Sequence, residues 1–150
     1  MPSRAEAAWI AGFVAAEGTF TRQGPTTRFS FCVALGALDS ESCSRLHKFF
    51  SVGSIKFSPR RKPHYDDVVQ FSIRALPDLL NVIVPFMDEH LPASHKRRQY
   101  RQWRSELLDY WEHRAKRVRP CTVPGCETQR RAHGLCRKHL FSDDRSLTRP

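Results

Sequence analysis

The stretch Trp-Ile-Ala-Gly-Phe-Val-Ala-Ala-Glu-Gly at residues 9–18 is apolar until its last two positions, and few folds can accommodate it. Ser3 followed three positions later by Glu6 is a capping-box signal and Gly18 is a plausible stop, so the spacing predicts one helix over residues 4–17. Ala8, Gly12, Ala15 and Ala16 form a face of small residues, while Trp9, Phe13 and Val14 cover the rest. A helix apolar nearly all round demands burial on every side. Glu17 then stands where a negative charge meets the negative end of the helix dipole, a placement that costs about 0.3–1 kcal/mol, so a cation is expected beside it.

The remaining chain reads as alternating pairs of strands and helices. Residues 19–23 and 28–35 form a pair about the Gly24-Pro25 turn, with Phe29, Phe31, Val33 and Leu35 alternating against Arg28, Ser30, Cys32 and Ala34. A helix is expected over 39–50, a second strand pair over 54–60 and 67–74, a short apolar helix over 76–88, and a long basic helix over 96–117 with Tyr100, Trp103, Leu107 and Tyr110 as its packed stripe. Cys43 is expected in the core. This order gives an α+β domain on one four-stranded antiparallel sheet, covered by helices on one face. The other face is left open and polar, offering Thr19, Thr21, Gln23, Arg28, Ser30, Lys56, Ser58 and Arg60.

The 25 Lys and Arg against 15 Asp and Glu, a formal charge of +10, favour a polyanionic partner such as nucleic acid over an acidic small molecule. No run of about 18 apolar residues and no leader pattern is present, so an intracellular, soluble protein without membrane contact is expected. The chain length suits one domain with a small appendage. Since the opening motif occurs once, the second partner for its helix is expected to be the same helix of another copy, packed across a two-fold axis.

Ile10-Ala11-Gly12-Phe13-Val14-Ala15-Ala16-Glu17-Gly18 resembles, letter by letter, the motif of the LAGLIDADG homing endonucleases, and the strand and helix order through about residue 111 is similar to one such αββαββα domain. The resemblance implies a homodimeric, sequence-specific double-strand DNA endonuclease of bacterial or phage-infected cytoplasm or nucleoid, hydrolysing phosphodiester bonds with Mg²⁺ or Mn²⁺ at Glu17 and the adjoining Gly18. Ala15 replaces the first acidic letter of the pattern. Leu91-Pro92-Ala93-Ser94-His95-Lys96 is similar to the segment carrying the family's active-site lysine, which makes Lys96 the candidate catalytic cation, with Gln70 or Arg74 assisting from the sheet. Arg97 and Arg98 follow as phosphate contacts.

In this family the open sheet face is a saddle in the major groove, so Gln23, Arg28, Ser30, Lys56, Ser58, Arg60, Gln70 and Ser72 become candidates for reading a pseudo-palindromic site. Where many members place a polar residue to order water, this chain has Leu35 and Gly36. That departure supports a second reading, a non-cutting binder such as an RNA maturase or a transcriptional regulator.

Three of the five cysteines crowd into the segment from Cys121 to Cys136. Cys121, Cys126, Cys136 and His139 give C-x4-C-x9-C-x2-H, a tetrahedral set for structural Zn²⁺, with His133 as the alternative fourth ligand. The segment is similar to small Cys/His modules attached to DNA-cleaving enzymes, and Arg130 and Arg131 would extend the DNA contact. The expected organisation is a domain over 1–118, a zinc module over 119–141 and a flexible tail over 142–150.

Overall fold

The computed structural model describes residues 3–24, 28–116 and 119–141. Its first helix, α1 (Arg4–Glu17), is capped as the sequence dictates: Ser3 Oγ accepts the Glu6 N–H at 3.1 Å, satisfying one of the four unpaired donors of the first turn. The Glu6 carboxylate turns instead to Arg45, 3.8 Å away. Ala7, Ile10, Ala11 and Val14, spaced i, i+3, i+4 and i+7, are buried. Ala8, Trp9, Gly12 and Ala16 on the other side are exposed.

Strand β1 (Gly18–Gln23) follows α1 without a connecting residue. Gly18 is not the left-handed stop expected for a helix end, because its φ is −67° and its ψ 145°. A glycine is needed for space: an added Cβ would lie 2.6 Å from both Val14 Cγ1 and Val14 O. β1 pairs with β2 (Arg28–Gly36), β2 with β4 (Val68–Ile73), and β4 with β3 (Ser54–Ser58), all antiparallel, in the spatial order β1-β2-β4-β3.

Two strands stop short of their expected ends. β3 ends at Ser58 because Pro59 has no N–H to give the ladder. β4 begins at Val68 because Ala37, which would face Asp67 and still donates its N–H to the Asp67 carbonyl at 2.8 Å, has turned into a 3₁₀ helix, while the Asp67 carboxylate accepts the Arg60 N–H at 2.8 Å. Arg74 lies past β4's end at Ile73.

A short 3₁₀ turn (Ala37–Asp39) leads into α2 (Ser40–Phe50), which buries Cys43, Leu46 and Phe50 against the sheet. Burial pushes the Cys43 thiol above its ordinary range. The expected apolar helix reaches from Leu76 to His90 in three parts: α3 (Leu76–Asp78), a π-helical turn (Leu79–Ile83) and α4 (Val84–His90). Pro85 has no N–H for the Asn81 carbonyl and its ring would crowd that oxygen; a widened turn just upstream relieves the clash. The long helix α5 (His95–Lys116) begins where Ser94 Oγ accepts the Arg97 N–H at 3.1 Å.

Phe29, Phe31, Val33, Val69, Phe71 and Ile73 point from the sheet into a core completed by Leu46, Leu79, Ile83, Met87, Tyr100 and Leu107. Each fully buried side chain of this size contributes about 1.5–3 kcal/mol. The chain divides into two compact units, Met1–Leu107 and Leu108–Pro150. The expected boundary at residue 118, Pro25 of the first turn and the expected tail at 142–150 lie outside the described residues.

Gly18→Ala is expected to destabilise the protein by about 1–3 kcal/mol through this backbone clash. Urea denaturation checks it, with wild-type stability in the variant arguing against the tight junction.

Candidate active site and metal centre

Glu17 ends α1 exposed, and among the described residues its carboxylate makes no ion pair or hydrogen bond. Among the described residues no cation pairs with it to offset the helix dipole. This donor set, a hard carboxylate oxygen with the Gly18 backbone beside it, suits Mg²⁺ or Mn²⁺, which takes one or two carboxylates and fills its shell with water and phosphate oxygens.

Two residues on, Thr19 lines a cleft of about 430 Å³ with Phe20, Arg22, Lys96, Gln99, Gln102, Trp103 and Glu106. Lys96 is therefore held at the same edge of the sheet that α1 runs into. The wall is built by covering an edge strand. Trp103 Nε1 donates to Thr21 O at 3.0 Å, and Arg22 pairs with Glu106 at 3.0 Å, so outward-facing groups of β1 that would otherwise meet solvent are engaged by α5. The Arg22 guanidinium holds the Glu106 carboxyl below its usual range. Tyr100, whose hydroxyl donates to Asp88 Oδ1 at 2.7 Å, is kept protonated by burial and by that carboxylate, which Arg104 also binds at 2.9 Å.

Gln99, Gln102 and Glu106 are site-lining residues that sequence reasoning missed. Their signal was present, since with Lys96 and Trp103 they form one helical stripe at intervals of three and four.

The sheet register brings most of the expected binding residues onto one face. Thr19 pairs with Cys32, Thr21 with Ser30 and Gln23 with Arg28; Cys32 pairs with Ser72, Ala34 with Gln70, Lys56 with Gln70 and Ser58 with Val68. Cross-strand partners share a face, so all nine strand residues named from the sequence lie on the open side. They are not equally available. The Thr21 and Ser30 hydroxyls bond each other at 2.7 Å, and Ser72, in the central β4, is only 7% exposed. Arg60 and Arg74 stand outside the strands and are exposed.

The basic start of α5 divides by role. The Arg97 guanidinium donates to the carbonyls of Leu91 and Asp88, capping the end of α4. Arg98 is exposed and its guanidinium meets His95 Nδ1 at 3.3 Å.

In the second unit the ligand atoms of Cys121, Cys126, Cys136 and His139 all lie within 4.8 Å of one another. His139 enters through Nδ1, 3.3 Å from Cys121 Sγ and 3.4 Å from Cys136 Sγ, and the Cys126 and Cys136 sulfurs are 3.8 Å apart. A tetrahedral zinc with Zn–S of about 2.3 Å and Zn–N of about 2.0 Å requires separations of roughly 3.8 Å between sulfurs and roughly 3.5 Å between sulfur and nitrogen. The observed spacings fit. His133 is outside the cluster, held in a left-handed turn at φ 51°. Hydrogen bonds from Thr128 hold the Cys126 thiol below its ordinary range, toward the thiolate a metal needs.

A protein-family model described as LAGLIDADG endonuclease matches residues 10–107. No curated protein matches the chain. Among solved structures the chain is similar to the LAGLIDADG homing endonuclease I-GzeII in complex with a DNA target, with a TM-score of 0.63 and 22% identity over 78% of this chain and 40% of that one. It is also similar to the meganuclease I-SmaMI bound to uncleaveable DNA (TM-score 0.61, 19% identity, 73% and 38% covered) and to the homing endonuclease I-TnaI (TM-score 0.60, 23% identity, 75% and 77% covered). The chain thus spans less than half the length of I-GzeII and I-SmaMI, and at these identities the likeness carries the fold. Among the described residues no helix is long and apolar enough to cross a membrane.

Titration with Co²⁺ is expected to give thiolate charge-transfer and tetrahedral ligand-field bands at one metal per chain. His139→Ala should remove roughly a quarter of a total metal affinity of about 10–16 kcal/mol, or about 10²–10³-fold, and His133→Ala should leave the spectrum unchanged; the reverse pattern would assign the fourth ligand to His133.

Proposed function

The chain belongs to the LAGLIDADG endonuclease family, and from that premise we propose that it is a sequence-specific double-strand DNA endonuclease that cuts as a homodimer with divalent metal. The observation that carries this reading is the junction at Gly18: an unpaired carboxylate at the end of α1 opens directly onto the edge strand whose Thr19 shares a cleft with Lys96. Residues 1–118 are the endonuclease domain, and 119–141 the zinc module in which Cys121, Cys126, Cys136 and His139 hold a structural Zn²⁺.

The exposed stripe of Ala8, Gly12 and Ala16 supports pairing of two α1 helices across a two-fold axis, because small side chains let backbones approach closely. Two Glu17 carboxylates then converge beside the DNA backbone. Bound Mg²⁺ or Mn²⁺ would polarise the scissile phosphate, lower the pKa of the attacking water and stabilise the leaving oxygen. Glu17, with the Gly18 backbone, orients that ion and supplies the charge it balances. The Lys96 ammonium, a compact charge on a flexible stem, reaches the phosphoryl oxygens as negative charge grows on them.

On the open face Thr19, Thr21, Gln23, Arg28, Ser30, Lys56, Ser58, Gln70 and Ser72, with Arg60 and Arg74 beyond the strand ends, read base edges and phosphates of a pseudo-palindromic site. Arg98 adds a phosphate contact. Such an enzyme works inside the cell, where DNA is.

One observation favours a second reading. The end of β2 carries Ala34, Leu35 and Gly36, without a polar side chain to order water, as suits a nucleic-acid binder that has lost cleavage. Incubating a randomised DNA library with and without Mg²⁺ separates the two, since cut ends that appear only with metal belong to the nuclease.

Glu17→Gln is expected to abolish cleavage while duplex affinity stays within about ten-fold, because the metal acts on the chemistry rather than on docking; fluorescence anisotropy beside a plasmid-nicking assay checks it, and parallel loss of binding makes Glu17 structural. For Gly12→Leu, among the described residues nothing beyond the adjoining backbone of α1 lies within 4 Å of an added Cβ, so the fold should persist while sedimentation velocity shifts from dimer to monomer. An unchanged dimer overturns the helix pairing.

A further inference from the structure

The second unit raises a question that the endonuclease reading leaves open: what its metal is for. From residue 108 onward, the buried residues among those described are Cys121 and Cys136. Apolar burial therefore cannot order residues 119–141, and the centre of this unit consists of the metal ligands themselves. Its backbone also carries three left-handed residues, Gly125 at φ 77°, His133 at φ 51° and Gly134 at φ 80°, of which His133 is disfavoured unless its surroundings fix it.

The same short segment bears Arg119, Arg130, Arg131, Arg137 and Lys138 against a single acid, Glu127. Each cation is placed by the stretch that ligation folds. Arg119 and Arg130 are joined across the Pro120–Gln129 bridge, where Arg130 N–H donates to Arg119 O at 3.0 Å. Arg131 closes the turn between Cys126 and Cys136 through its N–H to Leu135 O. Arg137 and Lys138 begin α6 (Arg137–Phe141), between the last two ligands. Four of the five are exposed and Arg130 is half-buried.

We infer that residues 119–141 form a zinc-dependent phosphate clamp: thiolate-bound zinc folds the segment so that its cations grip the nucleic-acid backbone without reading bases. This rests on the endonuclease reading for its partner and extends it by giving the soft metal a task separate from the hard one. Guanidinium and ammonium contacts to phosphate carry no base information, so the clamp sets affinity and leaves choice of site to the sheet. The matched family region stops at residue 107, so the clamp lies outside it.

The test uses the full chain, a non-cognate duplex and no Mg²⁺. Three proteins are compared: wild type, Cys121→Ser/Cys136→Ser, and Arg130→Ala/Arg131→Ala, each assayed for bound zinc and for duplex affinity across a salt series. The cysteine variant should hold no zinc. The arginine variant should hold as much as wild type, so its fold is not in question. Both should bind any duplex at least about ten-fold more weakly near 0.1 M salt, and the arginine variant should lose about 1.8 from the slope of log affinity against log salt, at about 0.9 for each phosphate contact. A zinc-free chain or a zinc-replete arginine variant with the wild-type slope overturns the clamp and leaves the endonuclease reading standing. A wild type without duplex affinity at any salt sinks both.

Discussion

At Gly18 the last turn of α1 and the first residue of β1 occupy the space that one side chain would need. Val14 O and Val14 Cγ1 fill it, so helix and strand join with no linker to flex. The direction of α1 is thereby fixed against the sheet by backbone packing, and so is the point at which Glu17 leaves the helix. Four buried residues on one side of α1 hold it down, while Ala8, Gly12 and Ala16 on its opposite side are exposed. The Glu17 carboxylate is left at the unfavourable end of a helix dipole, with no ion pair among the described residues. Those two features, an exposed apolar face and an exposed charge, are the ones that the proposed second subunit and divalent ion would complement.

The edge strand that begins at Gly18 is stabilised by a different logic. β1 has only β2 beside it in the sheet, and α5 engages its outer side through the Trp103 indole on Thr21 O and through the Arg22–Glu106 pair. The ion pair is partly exposed and contributes little on its own, about 0–1 kcal/mol. The indole bond carries more of the specificity, because it satisfies a carbonyl that would otherwise be half-buried and unpaired. The consequence is a cleft rather than a filled seam, with Lys96 on its rim. Covering the strand's outer edge leaves its open face free, and Thr19 belongs to both the wall of the site and the polar surface.

The two proposed metal sites differ in ligand type. In the proposed reading a lone carboxylate beside backbone would take a hard, hydrated cation and keep it exchangeable. Three thiols and an imidazole, with two of the thiols buried and the four ligand atoms all within 4.8 Å of one another, are the donor set that a soft, closed structural site would use.

Ser3 and Glu6 predicted the start of α1, the alternation from Arg28 to Leu35 predicted β2 and its core face, and C-x4-C-x9-C-x2-H predicted the Cys/His cluster, because caps, strand alternation and ligand spacing are local properties that a short stretch of chain carries by itself. Residues distant in sequence decided the rest. Local pattern could not tell that Gly18 serves space rather than a left-handed turn, that Arg97 caps α4 or that Ser72 is covered, since each depends on an atom brought in from another element. Pro59 and Pro85 could have been read for their missing N–H groups, yet where β3 ends and where the helix widens depended on the partner each N–H lacked. His139 rather than His133 completes the cluster because the turn at His133 directs its backbone into the left-handed region, a choice made only when the whole segment closes. What the sequence alone determined is which groups carry the chemistry; which of them meet was decided by tertiary packing, because contact between distant residues depends on the complete set of steric and hydrogen-bond demands being met at once.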